Sequence, residues 1–193
     1  MKLAVFDLDD TLLHLRVSWP EVRREVVALA RGKGLAADES EHLVPLGNRL
    51  ASVPEIKAGI DAIYLKYETA CMEGREYTVY PEMVALVRSL RAGGLRLAIA
   101  SGNHTSVIRK ILSDIGLIRE FDVVLGRDTV ANNKPHPDQL IRIMDALGAK
   151  PEETVFIGDS IYDAGAAAAA GVKFIKVHKG PGKDVAALKE ALA

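Results

Sequence analysis

Apolar residues recur along this chain with two different periods, and the change of period marks its organisation. The opening run Leu3-Ala4-Val5-Phe6 is apolar without a break and stops at Asp7. That is the pattern of a short strand buried on both faces. From about Ser18 to Gly74 the spacing becomes three-to-four, with no convincing strand. Trp19, Val22, Val26, Val27, Leu29 and Ala30 share one helical face, Ser18 stands where an N-cap belongs, and Pro20 occupies the first helical position. Gly32 and Gly34 end that helix. Two more helices are predicted over 39–51 and 54–72, the second with Ile56, Ile60, Ile63 and Tyr67 on its apolar side and Gly74 as its stop.

From Pro81 onward the two element types alternate: helix 83–92, strand 96–100, helix 105–115, strand 121–125, helix 137–147, strand 154–157, helix 164–170, strand 173–177 and a closing helix. Such alternation implies a parallel sheet covered on both faces. The expected fold is therefore an α/β core interrupted, after its first strand, by a helical insertion. In open sheets of this kind ligands bind outside the carboxyl ends of the strands.

Three polar clusters fall at those ends. They are Asp7-Leu8-Asp9-Asp10-Thr11 after the first strand, Ser101-Gly102-Asn103 after strand 96–100, and Gly158-Asp159-Ser160-Ile161-Tyr162-Asp163 after strand 154–157. Lys134 lies in a loop between the last two, beside Pro135 and Pro137. Asp7 and Asp9 are two apart, so on a continuing strand they would point to opposite faces. A turn after Asp7 lets both serve one reaction, Asp7 as nucleophile and Asp9 as general acid and then base. Asp159 and Asp163 add negative charge that calls for a cation, and an all-oxygen set next to a phosphate suits Mg²⁺, with Asp7 and Asp159 as side-chain ligands. Ser101, the Gly102 and Asn103 N–H groups and Lys134 supply donors and positive charge for the phosphoryl oxygens. Asn103 could equally be a helix cap.

These segments resemble the haloacid dehalogenase-like hydrolase superfamily, specifically its Mg²⁺-dependent phosphatases. Asp7 to Thr11 matches the Asp-x-Asp-x-Thr motif, Ser101 the hydroxyl motif, Lys134 the lysine motif and Gly158 to Asp163 the acidic motif, in the family's order. The resemblance implies a Rossmann-like three-layer core (1–15 and 80–193) and an all-helical cap (16–79), with hinges near 13–16 and 77–81. It further implies an aspartyl-phosphate on Asp7, acid/base work by Asp9 with its carbonyl on the metal, phosphate held by Ser101 and Lys134, and Asp159 as metal ligand. Asp163 and Thr11 would support the site from just outside. Asp10 departs from the pattern, since many relatives carry glycine there. The second aspartate argues against the dehalogenases and phosphonatases of the superfamily, which lack it.

Composition narrows the partners. The 193 residues are 49% apolar, enough for a full core, and 25 basic against 26 acidic residues leave a net charge of −1, with no broad footprint for nucleic acid or an anionic membrane. Cys71 is the single cysteine, so no intrachain disulfide can form. No apolar run approaches the roughly 18 residues of a membrane span and no basic start leads an apolar stretch, so a cytoplasmic enzyme is expected. The five histidines lack metal-ligand spacing, and Gly180-Pro181-Gly182-Lys183 is expected to be a plain turn, because no Ser or Thr follows the lysine. The expected substrate is a small phosphorylated metabolite, with phosphoglycolate phosphatases the nearest outline. The alternatives are a phosphomutase, which passes the phosphoryl group to a sugar instead of water, and a catalytically silent phosphate-binding module. Neither the oligomeric state nor the cap residues that meet substrate are encoded in a motif.

Overall fold

The structure is a computed structural model that describes residues 1–192. The chain forms two compact units, residues 16–76 and the remainder. In the larger unit five parallel strands, β1 (Leu3–Phe6), β4 (Arg96–Ala100), β5 (Val123–Leu125), β6 (Thr154–Gly158) and β7 (Lys173–Lys176), lie in the order β5-β4-β1-β6-β7. The first strand of the chain is thus the middle of the sheet. Leu3 faces Arg96 on one side and Thr154 on the other, and Phe6 faces Ile99 and Ile157. All four residues of β1 are fully buried, as its unbroken apolar run requires. Leu3, Val5, Ala98, Ala100 and Phe156 pack against α6 (Asp138–Leu147) and α7 (Ile161–Ala170) through Leu140, Ile143, Ala166 and Ala167. Helices α4 (Pro81–Ala92) and α5 (Thr105–Asp114) pack with β4 and β5, and α4 also meets the closing helix α8 (Val185–Leu192).

A two-stranded antiparallel ribbon, β2 (Leu13–Leu15) with β3 (Tyr77–Val79), joins the ends of the insertion. The sequence pattern placed Tyr77 to Val79 with the insertion; pairing to Leu13–Leu15 puts them in the larger unit. Three residues per strand are too few for a readable alternation, and only the partner strand defines them. The smaller unit is all-helical: α1 (Trp19–Gly32), α2 (Leu43–Leu50) and α3 (Pro54–Glu73). Val22, Val26, Val27, Leu46, Ile56 and Ile60 form its interior. A side chain at Gly59 would begin 2.6 Å from Leu29 Cδ2, so this glycine sets how closely α3 approaches α1.

Three local expectations change. Ser18 precedes α1 but its side chain caps nothing. Helix α2 starts at Leu43 and not at 39, because Asp38, Ser40 and Glu41 close a turn on their own side chains. Helix α7 starts at Ile161 and not at 164: Ser160 caps it by accepting from the Asp163 N–H, and Asp163 returns the bond to the Ser160 N–H. No helix among the described residues is long and apolar enough to cross a membrane.

Candidate active site

The carboxyl ends of β1, β4 and β6 meet at one place because these strands are neighbours in register. The ladder runs one residue past two of them, with Asp7 N donating to Ile157 O at 2.9 Å and Ser101 N to Leu125 O at 3.1 Å. Asp7 and Ser101 are therefore held by the sheet and not by loops. Carboxylate oxygens of Asp7, Asp159 and Asp163 lie within 4.8 Å of one another, all three residues buried. The Lys134 ammonium enters this group, donating to Asp7 Oδ1 at 2.9 Å, Asp163 Oδ1 at 2.5 Å and the Ala100 carbonyl at 3.2 Å. Its loop is seated where Pro135 packs on Gly165, a position at which any Cβ would stand 2.8 Å from the proline ring.

Asp163 thus grips Lys134 directly while lying beside Asp7 and Asp159. Its other oxygen accepts from the Ser160 N–H at 3.0 Å and the Ser160 hydroxyl at 2.5 Å. Gly158 is the residue that makes room for it, since a Cβ there would lie 2.7 Å from Asp163 Cγ.

After Asp7 the chain turns through Asp10, whose φ of +56° is the left-handed conformation that explains why glycine suits the position. Aspartate also tolerates it. The turn aims Asp9, whose Oδ1 accepts from Asp10 N at 3.1 Å and Leu15 N at 2.8 Å. Thr11 is fully buried; its N–H donates to Leu8 O at 3.3 Å, and its hydroxyl has no hydrogen-bond partner among the described residues. Asp10 is held in turn by Tyr80, whose hydroxyl donates to Asp10 Oδ1 at 3.3 Å, and by Lys179, 3.5 Å from both Asp10 Oδ2 and Asp159 Oδ2.

The third strand end is built differently from expectation. The Ser101 hydroxyl donates to Asn103 Oδ1 at 3.0 Å and accepts from Asn103 N at 3.2 Å, which ties Asn103 into the turn and commits its N–H. The helix cap is His104, whose Nδ1 accepts from Ser106 N. Arg127 donates to the Gly102 carbonyl at 3.1 Å, and Gln139 to the Ser101 carbonyl at 2.9 Å, so both buttress this loop from behind. Sequence reasoning missed these two, along with Lys179 and Tyr80, because none belongs to a motif.

Burial dominates the electrostatics. It pushes the Asp7 carboxyl up to about 7 against the pull of Lys134, with Asp163 adding to the rise. It pushes Asp9 up to about 8 despite the Leu15 N–H, with Asp10 and Asp7 adding repulsion. Asp159 is raised by burial and by Asp163, Lys179 opposing. Burial works to lower Lys134, but Asp163 and Asp7 hold its ammonium above its ordinary value. The site is short of positive charge, and a hard divalent cation is what its oxygen donors fit.

Residues 1–171 match the family model of the haloacid dehalogenase-like hydrolases. The chain belongs to that family. Among similar proteins, the phosphoglycolate phosphatase of Rhodospirillum rubrum is 28% identical over 208 residues, covering all of this chain and 86% of that one. That of Cereibacter sphaeroides is 32% identical over 190 residues, covering 92% and 85%. Others are longer: the chain spans 60% of the Salmonella typhi phosphoglycolate phosphatase. A crystal structure of a predicted phosphoglycolate phosphatase from Haemophilus somnus superposes with a TM-score of 0.70 at 21% identity, over 99% of this chain and 98% of that one. At that identity the likeness speaks for the fold, a parallel α/β core with helical insertion.

Proposed function

We propose that this haloacid dehalogenase-like hydrolase is a Mg²⁺-dependent phosphatase that cleaves a small phosphate monoester through an aspartyl-phosphate on Asp7. The observation that carries it is the meeting of Asp7, Asp159, Asp163 and Lys134 at the ends of β1 and β6, with Ser101 at the end of β4. Asp7, Asp159 and the Asp9 carbonyl would hold Mg²⁺, which when bound offsets the charge of the phosphoryl oxygens and of the carboxylates themselves.

Lys134 engages one oxygen of Asp7 and leaves the other for attack. That oxygen bonds to phosphorus as the bond to the leaving alkoxide breaks, and Asp9 gives the alkoxide its proton. Asp9 suits this step because burial keeps its carboxyl protonated near neutrality. In the second half Asp9 takes a proton from water, the water oxygen bonds to phosphorus, and the bond to Asp7 breaks. Lys134 sets its positive charge beside the phosphoryl oxygens, and the Ser101 hydroxyl would exchange its Asn103 Oδ1 acceptor for one of them. Cytoplasmic placement accompanies this reading, with Cys71, the single cysteine, buried.

The relatives' names make 2-phosphoglycolate the first substrate to try. Purified protein is offered a panel of phosphorylated small metabolites with Mg²⁺, and inorganic phosphate is measured. Turnover by the wild type and its loss in Asp7→Asn are expected. A folded wild type that releases no phosphate from any member of the panel would defeat the proposal, and transfer to a sugar without phosphate release would make it a mutase.

A further inference from the structure

The run Gly180-Pro181-Gly182-Lys183, expected to be a plain turn, does more than reverse the chain. Gly180 and Gly182 take φ of +84° and +79°, conformations that side-chain-bearing residues rarely adopt, and between them they turn Lys183 inward. Lys183 is only 5% exposed. Its Nζ donates to three main-chain carbonyls, Asp10 at 2.9 Å, His178 at 2.6 Å and Gly180 at 2.9 Å, and lies 4.4 Å from the centre of the Tyr80 ring. An ammonium has three donors, so each is used on a carbonyl, while the Asp10, Asp159 and Glu82 carboxylates act on the charge without a hydrogen bond to it among the described residues. Burying a charge whose hydrogen bonds all go to carbonyls is costly, and for Lys183 burial outweighs the pull of those carboxylates. A neutral residue would close an ordinary turn without that cost.

What the charge grips is the turn that carries Asp9. Two of its acceptors belong to the loop after β7, while the third is the carbonyl of Asp10, the residue held at positive φ whose N–H donates to the Asp9 carboxylate. The loop is itself fastened to α4, where Glu82 Oε1 accepts from Gly182 N at 2.7 Å and Lys183 N at 3.1 Å. Resting on the phosphatase reading above, we propose that Lys183 is a positioning residue for Asp9: a tethered cation that clamps the Asp10 carbonyl to the C-terminal loop and keeps the Asp9 carboxyl aimed for proton transfer.

Two substitutions separate this from ordinary packing. Lys183→Ala leaves a cradle of carbonyls open to water and to a free cation, whereas Lys183→Met fills it with apolar atoms. With an aryl phosphate and Mg²⁺, kcat of Lys183→Ala should fall about 10- to 100-fold, the scale of a slightly misplaced catalytic group. KM should stay within about twofold, because the phosphate-holding groups are untouched. Ammonium chloride, but not tetramethylammonium chloride at equal ionic strength, should restore kcat in Lys183→Ala and not in Lys183→Met. A kcat loss under about threefold, or the same ammonium response in both variants, overturns the proposal.

Ammonium should also raise the Tm of Lys183→Ala selectively, a readout that needs no substrate. A wild type inactive on every phosphate ester would therefore remove the phosphatase reading, and the clamp would stand or fall on that Tm rise alone. Should Lys183→Ala fail to fold, Glu82→Ala loosens the same loop from outside. It must then lower kcat at least about threefold with KM unchanged, and an unaltered kcat overturns the clamp.

Discussion

Replacing Lys134 with Met keeps most of the side-chain volume but withdraws the ammonium from between two carboxylates. In the wild type Nζ is 2.9 Å from Asp7 and 2.5 Å from Asp163, and all three side chains are nearly enclosed. Removing one partner of a buried pair costs about 3–5 kcal/mol. For a chain of this size each kcal/mol moves Tm by about 2–4 °C, so the metal-free variant should melt about 6–20 °C lower at pH 8.5. The loss must shrink with acidity. Burial raises Asp7 to about 7 in the folded wild type, above its ordinary value, so its neutral form is favoured by folding and that stability is lost as pH rises through about 7. Near pH 5.5 Asp7 already carries a proton and its pairing with Lys134 has gone from the wild type too. Only the Asp163 contact is then left to lose, and the Tm gap should fall to about half. Thermal unfolding in EDTA at pH 5.5, 7 and 8.5 reads this directly. A gap that is the same at all three values, or below about 2 °C at pH 8.5, refutes the reasoning.

Gly158→Ala should push on Asp163, which cannot retreat from Ser160 and Lys134; an overpacking cost of about 1–3 kcal/mol should appear as a lower Tm together with a lower kcat. Asp9→Asn should reduce kcat by about 10²–10⁴-fold. It should also flatten part of the stability profile of the metal-free protein, because the Asp9 carboxyl is raised to about 8 and its contribution is lost as pH climbs through that value. Chelation by EDTA should abolish phosphate release and added Mg²⁺ restore it. Mg²⁺ should raise the Tm of the wild type far more than that of Asp159→Asn, as differential scanning fluorimetry would show.

Much of this was visible in the residues themselves, for definite physical reasons. Leu3 to Phe6 had to be a doubly covered strand because nothing polar interrupts it, and the strands ending at Ala100 and Gly158 had the same character. Once the three were neighbours in a parallel sheet, Asp7, Ser101 and Asp159 followed to one end. What stayed hidden depends on contacts between segments distant in sequence. Lys134 was legible as a nearby charge, but not its grip on Asp163. Asn103 looked available to a ligand until the Ser101 hydroxyl was seen to take its N–H. Gln139 and Arg127 act through single hydrogen bonds to carbonyls, which leave no trace in periodicity. Lys183 was passed over because two glycines and a proline disguise it as a turn.

β1 is made before β4 and β6, the two strands that come to flank it in the middle of the sheet. Leu3 must wait for Arg96 and then for Thr154 before both its edges are covered, and such distant pairings form slowly. Until then an apolar ribbon with two bare edges invites association with other chains. The same delay is protective in another sense: a half-finished polypeptide holds Asp7 but none of the groups that would make it attack. Competence arrives only once Lys134, Asp159 and Asp163 have been made, so a product truncated before them should be sticky yet chemically inert.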